Sequence, residues 1–229
     1  MHVIAKRILL FSAIFLLVAQ QSFSQDSLRK HYTRNVAFTT PVSKNTTING
    51  LAIGVMAEPL GQADVLDING LNVELGPLGL TFGWAYTLFG TFYAPFNKRD
   101  IAGGLTFAID NPHIFPQAPN GYATHIRGIS VSAGGLMDDT HFSGLSLNGI
   151  LSGPDRVDGL EITGLMNMHY DFKGLMIAGL RNKTTTGTGV QIALINTCKS
   201  GRVVQFGLIN RIGKRTLPFM NFSFKKQQS

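Results

Sequence analysis

A period of fifteen residues in the C-terminal half of the chain is the feature that most constrains its fold. GISVSAGGL from Gly128, GLSLNGILS from Gly144, GLEITGLMN from Gly159, GLMIAGLRN from Gly174, GVQIALIN from Gly189 and VVQFGLIN from Val203 align one beneath another. Their starts are 16, 15, 15, 15 and 14 residues apart. Asn167, Asn182, Asn196 and Asn210 recur at the ends of four successive units, and NGLAIGV at Asn49 and NGLNVEL at Asn69 read as the same unit at a looser spacing. A unit this short has no core of its own and is stable only against its neighbours. The chain is therefore read as one array over residues 48–224, after a lead-in at 25–47 and before a basic tail at 225–229.

Inside each unit large and small residues alternate, the period-two mark of a strand. Leu160 and Ile162, Leu175 and Ile177, Val190, Ile192 and Leu194, and Val204, Phe206 and Leu208 fall on one face. Glu161 and Thr163, Met176 and Ala178, Gln191 and Ala193, and Gln205 and Gly207 fall on the other. LTFGWAYT repeats the alternation, with Leu80, Phe82, Trp84 and Tyr86 opposed to small residues. A solvated sheet face would carry Lys and Glu, and the small face carries few of either, so it is expected to be enclosed. Only 14% of residues are charged and 44% are hydrophobic, which excludes a disordered, solvating chain.

Between units lie SGPDRVDG, NMHYDFKG, NKTTTGTG and NTCKSGR, rich in turn residues. A parallel crossover needs a dozen residues or more, so stretches this short predict antiparallel pairing. The expected fold is all-β: an antiparallel up-and-down meander of strand–turn repeats, closed into a barrel to remove its edges. The alternative is a β-solenoid with one coil per repeat, its Asn and Gly stacked as ladders.

GVQIALIN, VVQFGLIN and GLMIAGLRN resemble the tandem G-V-Q-I-G-L-I-N units of bacterial surface-repeat proteins, and RTLPFMNFSF resembles their closing segment. The resemblance is good over 128–224, weaker over 48–94 and absent from 95–122. It implies a repeat fold and an envelope or surface location, and brings no activity or catalytic residue with it. Leu194 after Ala193, and Val203 in place of a leading Gly, depart from the pattern.

The N-terminus points to the same compartment. Lys6 and Arg7, the apolar run Ile8 to Ala19 and small residues at Ser22 and Ser24 match a secretory leader, 1–24, cut before Gln25. Cys198 is the only cysteine, so no internal disulfide is expected. After the leader no run of apolar residues reaches the ~20 needed for a spanning helix.

In a barrel, strands of this length would cross an outer membrane with bulky residues outward. Trp84, Tyr86, Phe89, Phe92, Tyr93, Tyr170 and Phe172 would supply an interfacial girdle, and Phe222 and Phe224 an aromatic last strand. From Phe172 to Ser229 there are ten basic residues and no Asp or Glu. Placed in turns, these form rims suited to lipid phosphate or another acidic envelope component. Nucleic acid is not expected, because the basic residues are not interleaved with exposed aromatics.

No phosphate-binding glycine loop, nucleophile elbow or metalloprotease helix is present. Cys198 has no histidine base in its own turn. One constellation has chemical content: in a meander, the turn with Asp138, Asp139 and His141 and the turn with His169 and Asp171 share an end and would offer ligands to a divalent metal. The loop 110–121, with Pro112, Pro116 and Pro119 and the apolar Ile114 and Phe115, is too long for a hairpin and is a candidate binding segment. The expected function is that of an exported cell-envelope repeat protein, in or on the outer membrane, with a structural or binding role. A soluble periplasmic or secreted binder of carbohydrate, lipid or protein is the alternative, and neither enzyme activity nor a cofactor is expected.

Overall fold

A computed structural model describes residues 31–61, 64–86, 116–137 and 139–224. The leader, the basic tail, Asp138, Phe89, Phe92, Tyr93 and the first half of the 110–121 loop lie outside the described residues.

The strands are β1 (Tyr32–Val42), β2 (Thr46–Pro59), β3 (Leu66–Glu74), β4 (Thr124–Ser132), β5 (Thr140–Asn148), β6 (Leu151–Ser152), β7 (Arg156–Thr163), β8 (Met166–Ala178), β9 (Arg181–Ile192), β10 (Ile195–Ile212) and β11 (Arg215–Ser223). Among the described residues one helix, α1 (Pro77–Tyr86), follows β3. The ladder runs β1-β2-β3-β4-β5-β7-β8-β9-β10-β11, with β6 pairing β8. Every pair is parallel except β10 with β11. The fold is a β-solenoid of about nine turns. β1, in the stretch read as a lead-in, forms the first of them.

The expected antiparallel meander and barrel are thereby overturned, and the reason is local. Segments such as NMHYDFKG do not reverse the chain: Met168 to Lys173 lie inside β8 and form another wall of the coil. The chain keeps turning in one sense and returns beside itself after a full coil. Gly159 pairs Gly174, and Gly174 pairs Gly189. The dozen residues a parallel connection requires are supplied by the coil itself.

The wall before each corner glycine follows the ordinary polarity of a strand. Ile48, Ile68, Ile126, Phe142, Val157 and Phe172 are in register and buried, forming one apolar stack along the interior. Gly187 continues that row without a side chain, because a Cβ there would lie 2.1 Å from the Phe172 ring. The wall after the glycine has inverted polarity. Glu161, Thr163, Asn148, Ser146, Gln191 and Gln205 are buried, whereas Ile162, Ile192 and Phe206 are exposed.

The corner itself explains the glycines. Gly174 has φ +131°, and a Cβ on it would lie 2.0 Å from the carbonyl oxygen of Gly159. Coils at the ~4.8 Å spacing of a sheet leave no room for a side chain at that point. The recurrent asparagines hold a second corner. Asn167 Nδ2 donates to Asn182 Oδ1, Asn182 to Asn196 and Asn196 to Asn210, each at 2.9 Å. The same Nδ2 groups also reach main-chain carbonyls, Asn182 to Ile192 at 3.0 Å and Asn196 to Phe206 at 2.8 Å.

Coil length varies at one place. β2 and β3 are offset by 20 residues (Thr46 to Leu66) and β3 and β4 by 58 (Leu66 to Thr124), and both excesses leave beyond the end of the inverted wall, after Pro59 and after Glu74. The second contains α1, where a strand over LTFGWAYT was expected. Pro77 opens this helix, Leu80 N–H donates to Gly76 O at 3.1 Å, and Thr81 Oγ1 donates to Pro77 O at 2.9 Å. Alternation alone did not make a strand where no neighbour offered a ladder.

Candidate functional site

Two outward surfaces of the solenoid carry chemistry. The first is the outside of the inverted wall. Leu51, Leu71, Ile129, Leu145, Leu160, Leu175, Val190, Val204 and Phe222 stand in register across nine strands. Ile53, Val73, Val131, Leu147, Ile162, Ile177, Ile192, Phe206 and Met220 form a second row beside them. No polar residue interrupts either row. Ile53 is 49% exposed, Ile129 46% and Phe206 43%, so the face is open along its length. With strands ~4.8 Å apart and alternate residues ~6.7 Å apart, it measures roughly 40 by 13 Å, on the order of 500 Å². That is the upper end of what monomers leave exposed without a use for it.

At the β10–β11 end this face becomes aromatic. The Phe222 and Phe224 rings lie 5.4 Å apart, and the Arg215 guanidinium sits over Phe222 at 5.8 Å and donates to its carbonyl. Along the glycine corner a border row runs Arg127, Ser143, Asp158, Lys173, Thr188, Arg202. Lys173 and Arg202 are exposed, and the only carboxylate of this border, Asp158, is already held by Arg156 at 3.0 Å and His141 at 2.9 Å.

The second surface is the outside of the ordinary wall. Asp67, His125, His141, Arg156, Asp171 and Thr186 follow one another in register. Tyr122 packs on both imidazoles, its centroid 5.7 Å from His125 and 5.2 Å from His141, and the two imidazoles are 5.8 Å apart. Burial opposes the Asp158 charge, but hydrogen bonds from Arg156 and His141 outweigh it and hold the carboxyl below the usual range. Burial, with Arg127 and His141, holds His125 below the usual imidazole range against the pull of Asp67.

The expected metal site is not assembled. His141 is bonded to Asp158, Asp171 lies two strands further along with Arg156 between them, and His169 points inward. Asp139 has φ +55° and its carbonyl accepts from the amides of Ala123 and Thr124, a turn role. Among the described residues no three His, Cys, Asp or Glu side chains converge. The gathering expected of alternate turns required a meander, and in a solenoid these residues lie on successive coils instead. Tyr170 and Phe172 do not form a girdle either, since Phe172 is core.

Inside the coil is a pair that the sequence did not disclose. Glu161 and His169 are both fully buried, with Glu161 Oε2 2.5 Å from His169 Nε2. The other imidazole nitrogen, Nδ1, is 2.7 Å from Pro154 O, and Glu161 Oε1 accepts from Ser152 at 2.7 Å and Asn148 at 3.2 Å. Burial works against the imidazolium, but the Glu161 carboxylate, its hydrogen bond and the Pro154 carbonyl outweigh burial and raise His169 above its ordinary value. A carboxylate in a strand pattern and a histidine in an apparent turn carry no sign of facing each other. Glu74 holds a similar buried position, accepting from Ala57 N–H at 2.7 Å and Ser132 at 3.0 Å, and burial pushes it up despite these bonds. Cys198 is buried, its thiol pushed by burial up to about 11. A thiol so placed is packing rather than a nucleophile.

Of the 110–121 loop, Pro116 is fixed by Thr185, whose Oγ1 donates to its carbonyl at 2.7 Å. Comparison with known proteins finds no matching family, no similar curated protein and no similar solved structure.

Proposed function

We propose that this chain is an exported cell-envelope β-solenoid with a structural or binding role, and that the outside of the inverted wall is its binding surface. One observation carries the reading: polar side chains take most of the interior positions of that wall, with Ala52, Met176, Ala178 and Ala193 interspersed among them, while an unbroken apolar face, nine strands long, is turned outward. A sheet buried on only one side normally hides its apolar residues. Here the hydrophobic effect favours covering the outer side too, so a partner surface is implied. The leader-like N-terminus and the surface-repeat resemblance support the compartment.

The role is binding rather than catalysis. Glu161 and His169 are hydrogen-bonded to one another away from solvent, and the His141, Asp158 and Arg156 side chains are tied together in a surface ion pair network. A second reading places recognition of a polar ligand on the ordinary wall, favoured by the Tyr122, His125 and His141 rings beside Arg156 and Asp171.

Fractionation of the full chain expressed with its leader in a Gram-negative host tests the proposal. Recovery in the envelope fraction, with complete release by detergent and at most partial release by high salt, is the expected result. Recovery in the cytosol or free in the medium, with Leu147→Ser and Ile162→Ser variants behaving identically, would reject it.

A further inference from the structure

Within the reading just given, on which this inference rests, the partner surface can be named from charge. We propose that the β8–β11 end of the apolar face seats on an anionic lipid bilayer, monotopically, with Phe206, Met220 and Phe222 at the acyl boundary.

Three observations converge on lipid. The apolar rows are aliphatic over most of their length and end in a cluster of exposed large side chains, Met220 at 47%, Phe222 at 43% and Phe224 at 72%. Aromatic groups with one polar neighbour belong at the headgroup level of a membrane, and Arg215 over Phe222 supplies that neighbour. Next, the border of the face at this end is basic. Lys173 and Arg202 are exposed along the glycine corner, and from Phe172 to the C-terminus the chain has no Asp or Glu. Basic residues beside an apolar face are what an anionic leaflet attracts. Finally, neither row contains a polar residue, so the face offers a lipid surface no hydrogen bond left unmade.

A second copy of the chain fits less well. Packing two such faces would satisfy the aliphatic rows, but the basic border at the β8–β11 end would find no acidic complement on the same face, where Asp158 is already engaged. The geometry also orients the molecule: with the inverted wall on lipid, the ordinary wall with its His125, His141 and Arg156 row is presented to the aqueous phase.

The test is co-sedimentation of the purified full chain with vesicles of phosphatidylglycerol and phosphatidylethanolamine, against vesicles of phosphatidylcholine alone. Two double variants are compared, Lys173→Glu with Arg202→Glu, and Phe206→Ser with Phe222→Ser. Their melting temperatures and circular dichroism confirm folding. Binding to the anionic vesicles is expected at least about tenfold tighter than to phosphatidylcholine, weakened about tenfold or more by charge reversal and by added salt, and lost in the serine variant. No sedimentation with either vesicle, combined with a dimer that the serine variant converts to monomer, would overturn the lipid assignment while leaving the apolar face as a binding surface. Folded serine variants that alter neither vesicle binding nor oligomeric state would overturn both.

Discussion

The Glu161 carboxylate and the His169 imidazole meet 2.5 Å apart inside the solenoid, eight residues apart in sequence and both fully buried. They join the inverted wall to the wall that follows it, so the pair ties together two sides of one coil. Such a pair resists removal of one partner more than removal of both, because a lone buried charge has no compensation.

Glu161→Gln or His169→Ala alone is expected to cost about 3 kcal/mol, and the double variant less than the sum of the two. The folded state holds His169 above its ordinary value, so its contribution is complete below about pH 6.5 and is lost as pH rises through the folded value. Urea denaturation of the wild type and the double variant between pH 5 and 9 measures this. A difference between them that grows toward high pH would contradict the assignment.

The corner row makes a paired prediction. Gly174→Ala places a Cβ against the Gly159 carbonyl at a positive φ and should destabilise the chain by more than about 2 kcal/mol. Val36 occupies the same row, paired with Gly50, at φ +94° and 80% exposed. Val36→Gly should therefore stabilise by about 1 kcal/mol, the relief of a β-branched residue at positive φ less the entropy of glycine. Melting temperatures moving in opposite directions are the expected outcome.

The buried asparagine ladder should differ from an exposed one, in which Asn69 donates to Asn49 and Asn49 to Asn35, each at 3.0 Å. Asn182 is buried and donates to Asn196 and to the Ile192 carbonyl, whereas Asn49 is exposed and donates to Asn35 at 3.0 Å. Asn182→Ala should cost about 2 kcal/mol, since it strands buried partners, while Asn49→Ala should cost under about 0.5 kcal/mol. Equal costs in chemical denaturation would show that the inner ladder is not a structural element.

The Cys198 thiol should be silent in the native state. With burial pushing it to about 11, labelling by a thiol-specific reagent at pH 8 should run roughly a hundredfold slower than in the unfolded chain. Fast native labelling would mean that the coil around Thr184 and Cys198 opens readily.

What could be read in advance was the repeat and the side of the sheet each residue occupies. Alternation places Leu160, Ile162, Phe206 and their row partners on one face and Glu161, Thr163 and Gln205 on the other, and the structure keeps that division with the small face enclosed. Pairing direction is not legible in the same way, because residues such as His169 and Asp171 look like turn formers, and composition does not distinguish a turn that reverses from a polar wall that continues around. Gly174 holds the clue, since a glycine needed at the same place in every coil signals stacked corners. The Glu161–His169 pair was illegible for a different reason: it depends on which walls face each other across the interior, and periodicity within one strand does not carry that.

The unequal coils at β2–β3 and β3–β4 have one more consequence. The neighbours of the 58-residue coil keep their register, Gly70 still beside Gly128, even though α1 and the residues after it are interposed. The corner beyond the inverted wall thus works as an insertion port, where foreign sequence interrupts the chain without interrupting the ladder. An epitope or a whole small domain spliced after Ala133 or Gly149, the equivalent place in later coils, should be displayed beside the apolar face at a spacing set by the number of coils between grafts.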